Sequence, residues 1–262
     1  MSHTGTTRWS DCSSAQVRGH IVKAMFTNAY DSRLVSLTNP TSFAAEQYQG
    51  LRLTIERLTR NNGAQVIAIT SPAAGEGKTL TAINLAAALA RESDARVLVI
   101  DADLRRPSVA SKLGLTPSPG LTDLLSKDGL ELSEVAQILS PFQLWVVPSG
   151  SAGSAIHRLL RSPRFEPLLE RARREYDVVI IDTPPLLPVF DSAVLSRIVD
   201  QLLVVVAANQ TPRKLLGEAL NLVDPAKVMG IVFNRDDRPL FGYYDEYYRE
   251  YFPDTSGAVS RA

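Results

Sequence analysis

Apolar residues recur along this chain in two alternating patterns. Short, nearly unbroken β-branched runs occupy Val66–Thr70, Val97–Asp101, Leu144–Val147, Val178–Asp182, Leu202–Ala207 and Val228–Phe233. Between them, stretches with helical spacing cover Thr79–Arg91, Ala155–Arg161, Arg164–Glu175, Ser192–Arg197 and Arg213–Val223. A strand that is apolar at every position has no face left for water. These runs therefore predict a mostly parallel sheet with helices on both sides, a doubly wound α/β fold.

Ahead of this alternation, Phe43, Tyr48, Leu51, Ile55 and Leu58 recur at three- to five-residue steps, and Asn61-Asn62-Gly63 closes the pattern. The spacing predicts a helix over 41–62. Residues 1–40 are rich in Ser, Thr, Asn and Asp without periodicity and read as a mobile N-terminal arm. No Pro-, Gly- or Ser-rich linker and no internal repeat divides residues 41–235, so they form one domain. Residues 236–262 differ in character. Between Asp236 and Asp254 six acids stand against Arg238 and Arg249, a local charge of 2 − 6 = −4, and five of the chain's eight tyrosines lie within Tyr243–Tyr251. This is a flexible, tyrosine-rich C-terminal tail.

Charge and cysteine content narrow the partners. Lys plus Arg and Asp plus Glu are both 28 in 262 residues, so the formal net charge is zero. That argues against coating nucleic acid by bulk charge, and no nucleic-acid partner is expected. The single cysteine, Cys12, excludes a disulfide framework or a four-cysteine metal site within one chain and fits a reducing cytosol. The longest apolar run, Leu202–Ala208, is far shorter than the roughly 18 residues of a membrane span. A soluble, cytoplasmic protein is expected.

The strongest chemical signal is Ser71-Pro72-Ala73-Ala74-Gly75-Glu76-Gly77-Lys78-Thr79, directly between a predicted strand and a predicted helix. Gly75 and Gly77 permit a tight loop whose N–H groups face a polyphosphate, and the dipole of the following helix adds to the attraction. Lys78 would reach the β- and γ-phosphates, and the Thr79 hydroxyl would ligate Mg²⁺. Pro72 stands where the usual pattern has its first glycine. Asp101 and Asp103 close the second strand and Asp182 closes a later one, all at the carboxyl edge where open α/β sheets bind ligands. One such carboxylate is often only a helix cap. Three beside a phosphate loop would hold Mg²⁺ and leave one acid free to accept a proton from an attacking hydroxyl.

Together, Ser-Pro-Ala-Ala-Gly-Glu-Gly-Lys-Thr, Val-Ile-Asp-Ala-Asp-Leu-Arg-Arg-Pro and Val-Ile-Ile-Asp-Thr-Pro-Pro resemble the bacterial tyrosine kinases of capsule and exopolysaccharide synthesis. These are P-loop NTPases of the partitioning-ATPase-like superfamily, and the likeness runs from about Leu34 to the tail. The resemblance implies an ATP- and Mg²⁺-dependent protein-tyrosine autokinase that acts in trans and regulates polysaccharide polymerisation and export. Lys78, Asp101 and Asp103 would be catalytic, Asp101 as the base. Ala74, Gly75, Glu76, Gly77, Lys78, Thr79 and Leu80 would bind the nucleotide, with Asn234 on the adenine. Thr79, Asp103 and Asp182 would serve the metal, Asp182 through water. Tyr243, Tyr244, Tyr247, Tyr248 and Tyr251 would be the phosphoacceptors.

It further implies a membrane-embedded polysaccharide chain-length determinant, or co-polymerase, as activator, and hence a location at the inner face of the plasma membrane. A homo-oligomer is implied too. Glu46, Gln49 and Arg52 stand where the family's oligomerisation helix reads Glu-x-x-Arg-x-x-Arg, so the ring contact lacks one arginine. The stretch Gly153–His157 departs from the family's Pro-Asn-Pro run, and contacts made there do not transfer. The alternative is a nucleotide-switched scaffold ATPase of the partitioning or cell-division type. Such proteins carry a second lysine five residues before the loop lysine, where this chain has Ala73. Arg158, Arg161, Arg164, Arg171, Arg173 and Arg174 read as a solvated helix face or as a dock for an acidic tail. His157 reads as a surface or capping residue, and Cys12 has no assigned role.

Overall fold

A computed structural model of the chain describes residues 30–60, 65–92, 95–140, 142–151, 153, 156–187 and 191–236. In chain order the elements are α1 (Val35–Thr38), α2 (Phe43–Thr59), β1 (Gln65–Thr70), α3 (Lys78–Glu92), β2 (Val97–Asp101), α4 (Val109–Leu113), α5 (Leu121–Ser126), α6 (Leu132–Val135), β3 (Gln137–Leu139) and β4 (Leu144–Val147). They continue with α7 (Ile156–Leu160), α8 (Phe165–Glu175), β5 (Val178–Asp182), α9 (Asp191–Leu195), β6 (Gln201–Ala207), α10 (Arg213–Leu220) and β7 (Val228–Asn234).

The strands form one sheet in the order β3-β4-β2-β5-β1-β6-β7, all parallel except β3, which pairs antiparallel with β4. Side-chain alternation explains why the strands read as unbroken apolar runs. Val66, Ala68, Leu98, Ile100, Val179 and Ile181 enter one core, with residues of α5 to α9. Ile67, Ile69, Val97, Val99, Val178 and Ile180 enter the other, with α2, α3 and α4. Both faces of the inner strands β1, β2, β4 and β5 are dry, as a doubly wound sheet requires, while the edge strand β7 is partly exposed. The one antiparallel strand among the described residues, β3, is three residues long, and α4, α5 and α6 have five, six and four. Periodicity does not resolve elements of that length, and the sequence pattern misses all four.

The helix expected over 41–62 is α2, capped by the Ser42 hydroxyl, which accepts from the Ala45 N–H. The last residue of its oligomerisation motif pairs within the helix: Arg52 donates to Gln49 Oε1 and to both carboxylate oxygens of Glu56. Residues 1–29 of the expected arm lie outside the described residues. Its last part does not match a mobile arm. Leu34 is fully buried against α3, the Asn84 side chain joins Ser36 N–H to Arg33 C=O, and Lys112 pairs with Asp31 at 3.1 Å. The polar composition of 30–40 hides one anchoring leucine, and the folded body starts ahead of Thr41. Beyond Asp236 the tail, with its five tyrosines, lies outside the described residues.

Candidate nucleotide and phosphoryl-transfer site

The chain leaves β1 toward β2 on one side, and later crosses to β6 on the other, so the crevice at the carboxyl end of β1 stays open. Residues 71–77 turn through it and deliver Lys78 and Thr79 as the first residues of α3. Gly75 and Gly77 both have positive φ, 84° and 99°, the left-handed backbone that glycine adopts without strain. Their difference is spatial. A Cβ on Gly75 would meet nothing within 4 Å, whereas one on Gly77 would lie 2.0 Å from Asn234 Nδ2.

Asn234 ends β7 and donates from Nδ2 to the Glu76 carbonyl at 2.9 Å, clamping the loop from above. The residue expected at the adenine is thus held by the loop in this chain. The Glu76 carboxylate is buried and accepts from the Thr211 hydroxyl at 2.9 Å, while Oε2 has no partner among the described residues. Burial raises its pKa. Of the expected nucleotide residues, Glu76 thus offers its backbone alone. Ala74 is exposed at the loop tip, and Leu80 packs against the α3-side core.

β2 and β5 are neighbours in register, and Asp101 and Asp182 are Cα partners at their ends. Adjacent strands thus place two carboxylates side by side, both almost wholly buried. Asp182 Oδ2 accepts from the Thr79 hydroxyl at 2.6 Å, and Thr79 accepts from Ser108 at 3.2 Å. Asp101 Oδ2 accepts the N–H groups of Ser108 and Val109, each at 3.1 Å. Asp103 is buried beside them and accepts from Arg106 N–H. The remaining oxygens, Asp101 Oδ1 and Asp182 Oδ1, are buried with no hydrogen-bond partner among the described residues. Unpaired buried carboxylate oxygens are costly, and loss of water raises the pKa of both acids, with repulsion from Asp103 adding to it at Asp101 and from Asp101 and Asp103 at Asp182. Lys78, also buried, offsets part of the charge on Asp182.

That arrangement fits Mg²⁺. Among the described residues no group of three or more acids, histidines or cysteines is close enough to enclose a metal unaided. Mg²⁺ needs only one or two protein carboxylates, since substrate phosphates and water complete its shell, and Asp103 and Asp182, with the Thr79 hydroxyl, are the residues here that would hold it.

The stranded carboxylates also carry a stability signature. A raised folded-state pKa means that the folded chain holds a proton that the unfolded chain releases. Stability of the nucleotide-free protein then falls as pH rises from the ordinary carboxylate range through the raised value. Asp182→Asn keeps an acceptor for Thr79 and removes the charge. At pH 8, without nucleotide, it is expected to gain on the order of 1 kcal/mol, about 2–4 °C for a domain of this size. The gain should shrink toward pH 5. Thermal unfolding from pH 5 to 8 reads this directly, and equal pH slopes for the two proteins would count against it.

Two clusters were not legible as such in the sequence. Ser108 joins Asp101 to Thr79 from the start of a five-residue helix. Asp191, 3% exposed at the start of α9, accepts from Arg105 at 2.7 Å and pairs with His157 Nδ1 at 2.9 Å, and His157 Nε2 meets Arg105 at 2.9 Å. The expected surface role of His157 agrees with its exposure. Its partners come from segments 52 and 34 residues away, a distance no local pattern spans.

The comparisons with known proteins agree with this geometry. The AAA domain family matches residues 64–227. The tyrosine-protein kinase YwqD of Bacillus subtilis (strain 168) is 32% identical over 216 residues, covering 80% of this chain and 90% of YwqD. The chain belongs to the bacterial tyrosine-kinase family. The solved kinase domain of the Escherichia coli tyrosine kinase ETK matches with a TM-score of 0.71 at 30% identity, over 79% of this chain and 82% of that one. The succinoglycan biosynthesis transport protein ExoP of Rhizobium meliloti (strain 1021) is 32% identical over 222 residues, or 82% of this chain. This kinase-family chain spans only 28% of ExoP, so it corresponds to one part of that longer relative. Among the described residues no helix is long and apolar enough to cross a membrane.

Proposed function

We propose that the chain is an ATP-dependent protein-tyrosine autokinase that phosphorylates its C-terminal tyrosine cluster in trans and so regulates exopolysaccharide polymerisation and export. The observation that carries this reading is the convergence of Thr79, Asp101, Asp103 and Asp182 beside the Lys78 loop, in a chain whose relatives are named tyrosine kinases.

The backbone of residues 74–80 cradles the phosphates of ATP, Lys78 neutralises the β- and γ-phosphates, and Asn234 holds the loop and borders the base. Thr79, Asp103 and Asp182 hold Mg²⁺, which offsets charge on the phosphates when bound. Asp101 takes the phenolic proton at its unpartnered Oδ1 as the tyrosine oxygen attacks the γ-phosphorus. The new oxygen–phosphorus bond forms as the bond to the bridging oxygen breaks, and ADP departs with the electron pair. The acceptors are Tyr243, Tyr244, Tyr247, Tyr248 and Tyr251 of a neighbouring copy in a homo-oligomer. A membrane-embedded polysaccharide co-polymerase activates the kinase and holds it at the inner face of the membrane, a reading supported by ExoP's name as a transport protein of succinoglycan biosynthesis.

Incubation with Mg·ATP, followed by intact mass and peptide mapping of residues 236–262, tests the proposal. Phosphate on the tail tyrosines that vanishes in Lys78→Met is the expected result. ATP binding with no phosphate, even beside the activator's cytoplasmic segment, would favour the nucleotide-switched scaffold instead.

A further inference from the structure

Six arginines between positions 158 and 174 form the densest basic stretch of the chain, and the fold divides them into two groups. Arg164 pairs with Asp128, Arg171 with Glu131 and Glu175, and Arg173 with Glu170 and Asp200. Arg158, Arg161 and Arg174 are exposed and have no ion-pair partner among the described residues. Arg174 lies at the end of α8, which feeds the amino end of β5, so it sits on the edge of the sheet opposite the site. Arg158 and Arg161 differ. On α7 and just after it, Leu159 and Leu160 are buried while His157, Arg158 and Arg161 are exposed.

The Asp191 cluster fixes where that face points. His157 is bound to Asp191 and to Arg105, and Arg105 lies two residues beyond Asp103. The basic face of α7 thus starts at the β2 side of the catalytic edge, the side away from Asn234 and β7. Arg106, exposed and likewise unpaired among the described residues, continues it toward Asp103. Asp191 neutralises Arg105, which leaves Arg106, Arg158 and Arg161 as three positive charges beside the site with no ion-pair partner among the described residues.

We infer that this face is the docking surface for the acidic tyrosine segment of a second copy of the chain. The inference rests on the autokinase reading above. Charge and length both support it. The span 236–254 carries −4, and Asp245, Glu246, Glu250 and Asp254 each lie within three residues of an acceptor tyrosine. In an extended acceptor, an acid two residues from the reacting tyrosine is about 7 Å away. The five residues of α7 span about the same length. His157, bound to Arg105, sets Arg158 on α7 and Arg161 just after it beside the loop that follows Asp103, so the acids flanking a tyrosine at Asp101 have Arg106, Arg158 and Arg161 as their nearest free cations on this side among the described residues. The surface selects tyrosines with acidic neighbours; it contributes steering and affinity, and leaves the chemical step to Asp101.

The test uses the full chain, wild type and Arg158→Glu/Arg161→Glu, with a labelled peptide covering residues 240–254 and a neutral version carrying Asp245→Asn, Glu246→Gln and Glu250→Gln. Binding is read by anisotropy and phosphorylation by initial rates. In the variant, Kd and KM for the acidic peptide are expected to rise roughly tenfold with kcat within about twofold, and the neutral peptide to behave alike with both proteins. The wild-type preference should fade at high salt. Restored binding of an Asp245→Lys/Glu246→Lys peptide to the variant would establish direct pairing. Arg158→Gln/Arg161→Gln, which keeps the shape and only deletes charge, should give a smaller change in the same direction. Equal Kd values for the acidic peptide with wild type and variant would overturn the inference. So would loss of binding to vesicles of anionic lipid with peptide binding intact, which would make this face a membrane contact. Peptide binding that depends on the two arginines, without any phosphate transfer, would retain the dock and sink the kinase reading instead.

Discussion

Asp101→Asn is expected to lower phosphate transfer to tyrosine by about 10²–10⁴-fold while leaving Mg·ATP affinity within a few-fold of wild type. The geometry makes this substitution unusually clean. One carboxylate oxygen of Asp101 holds the Ser108 and Val109 N–H groups, and the asparagine carbonyl can take over that role. The other oxygen is buried without a partner, and there asparagine places an amide that cannot accept a proton. The loop stays anchored and only the base is lost. Burial together with neighbouring negative charge raises the Asp101 pKa, which makes its carboxylate a better proton acceptor than an exposed one. Single-turnover phosphorylation of a Lys78→Met acceptor copy separates the two effects. A variant with full transfer rate would move the base to Asp103, whose substitution would then cause the loss.

Gly77→Ala should weaken Mg·ATP binding by roughly 30- to 1,000-fold, and Gly75→Ala by about fivefold less than that. At position 77 two costs coincide. An L-residue at φ 99° carries about 1–3 kcal/mol of backbone strain. The new methyl would lie 2.0 Å from Asn234 Nδ2, so the amide must move and its bond to the Glu76 carbonyl, worth about 1 kcal/mol, is lost. Position 75 meets only the strain. Calorimetric titration of both variants, with Gly77→Ala/Asn234→Ala alongside, tests the division. The double variant should recover part of the affinity, because removing the amide relieves the collision but not the positive φ. Equal losses at positions 75 and 77 would show that the clamp does not matter.

The clamp illustrates how unevenly the site was legible. Each of its parts announces itself locally: glycines flanking a lysine between strand and helix, and carboxylates at the ends of apolar runs. Those are short-range signals, set by backbone conformation and by the burial of neighbouring residues. Thr211 and Ser108 carry none. A threonine after β6 and a serine before a five-residue helix look like ordinary turn residues until folding brings one to Glu76 and the other to Thr79. The end of the expected arm was misread for a related reason. Its composition is polar on average, yet Leu34 is buried, Ser36 and Arg33 bond to Asn84 of α3, and Asp31 pairs with Lys112 of α4, partners that only folding brings near.

The sequence by itself determined the α/β class, the six parallel strands and the edge on which the chemistry lies, because period, strand polarity and loop glycines are properties of contiguous residues. Only the tertiary structure decided the strand order, and with it the pairing of Asp101 with Asp182. The same holds for the burial that leaves one oxygen of each without a partner, for the role of Asn234 as a clamp, and for the division of the arginines into paired and free. Each of these depends on which distant segments become neighbours when two apolar faces of one sheet are covered at once, and no stretch of sequence contains both partners.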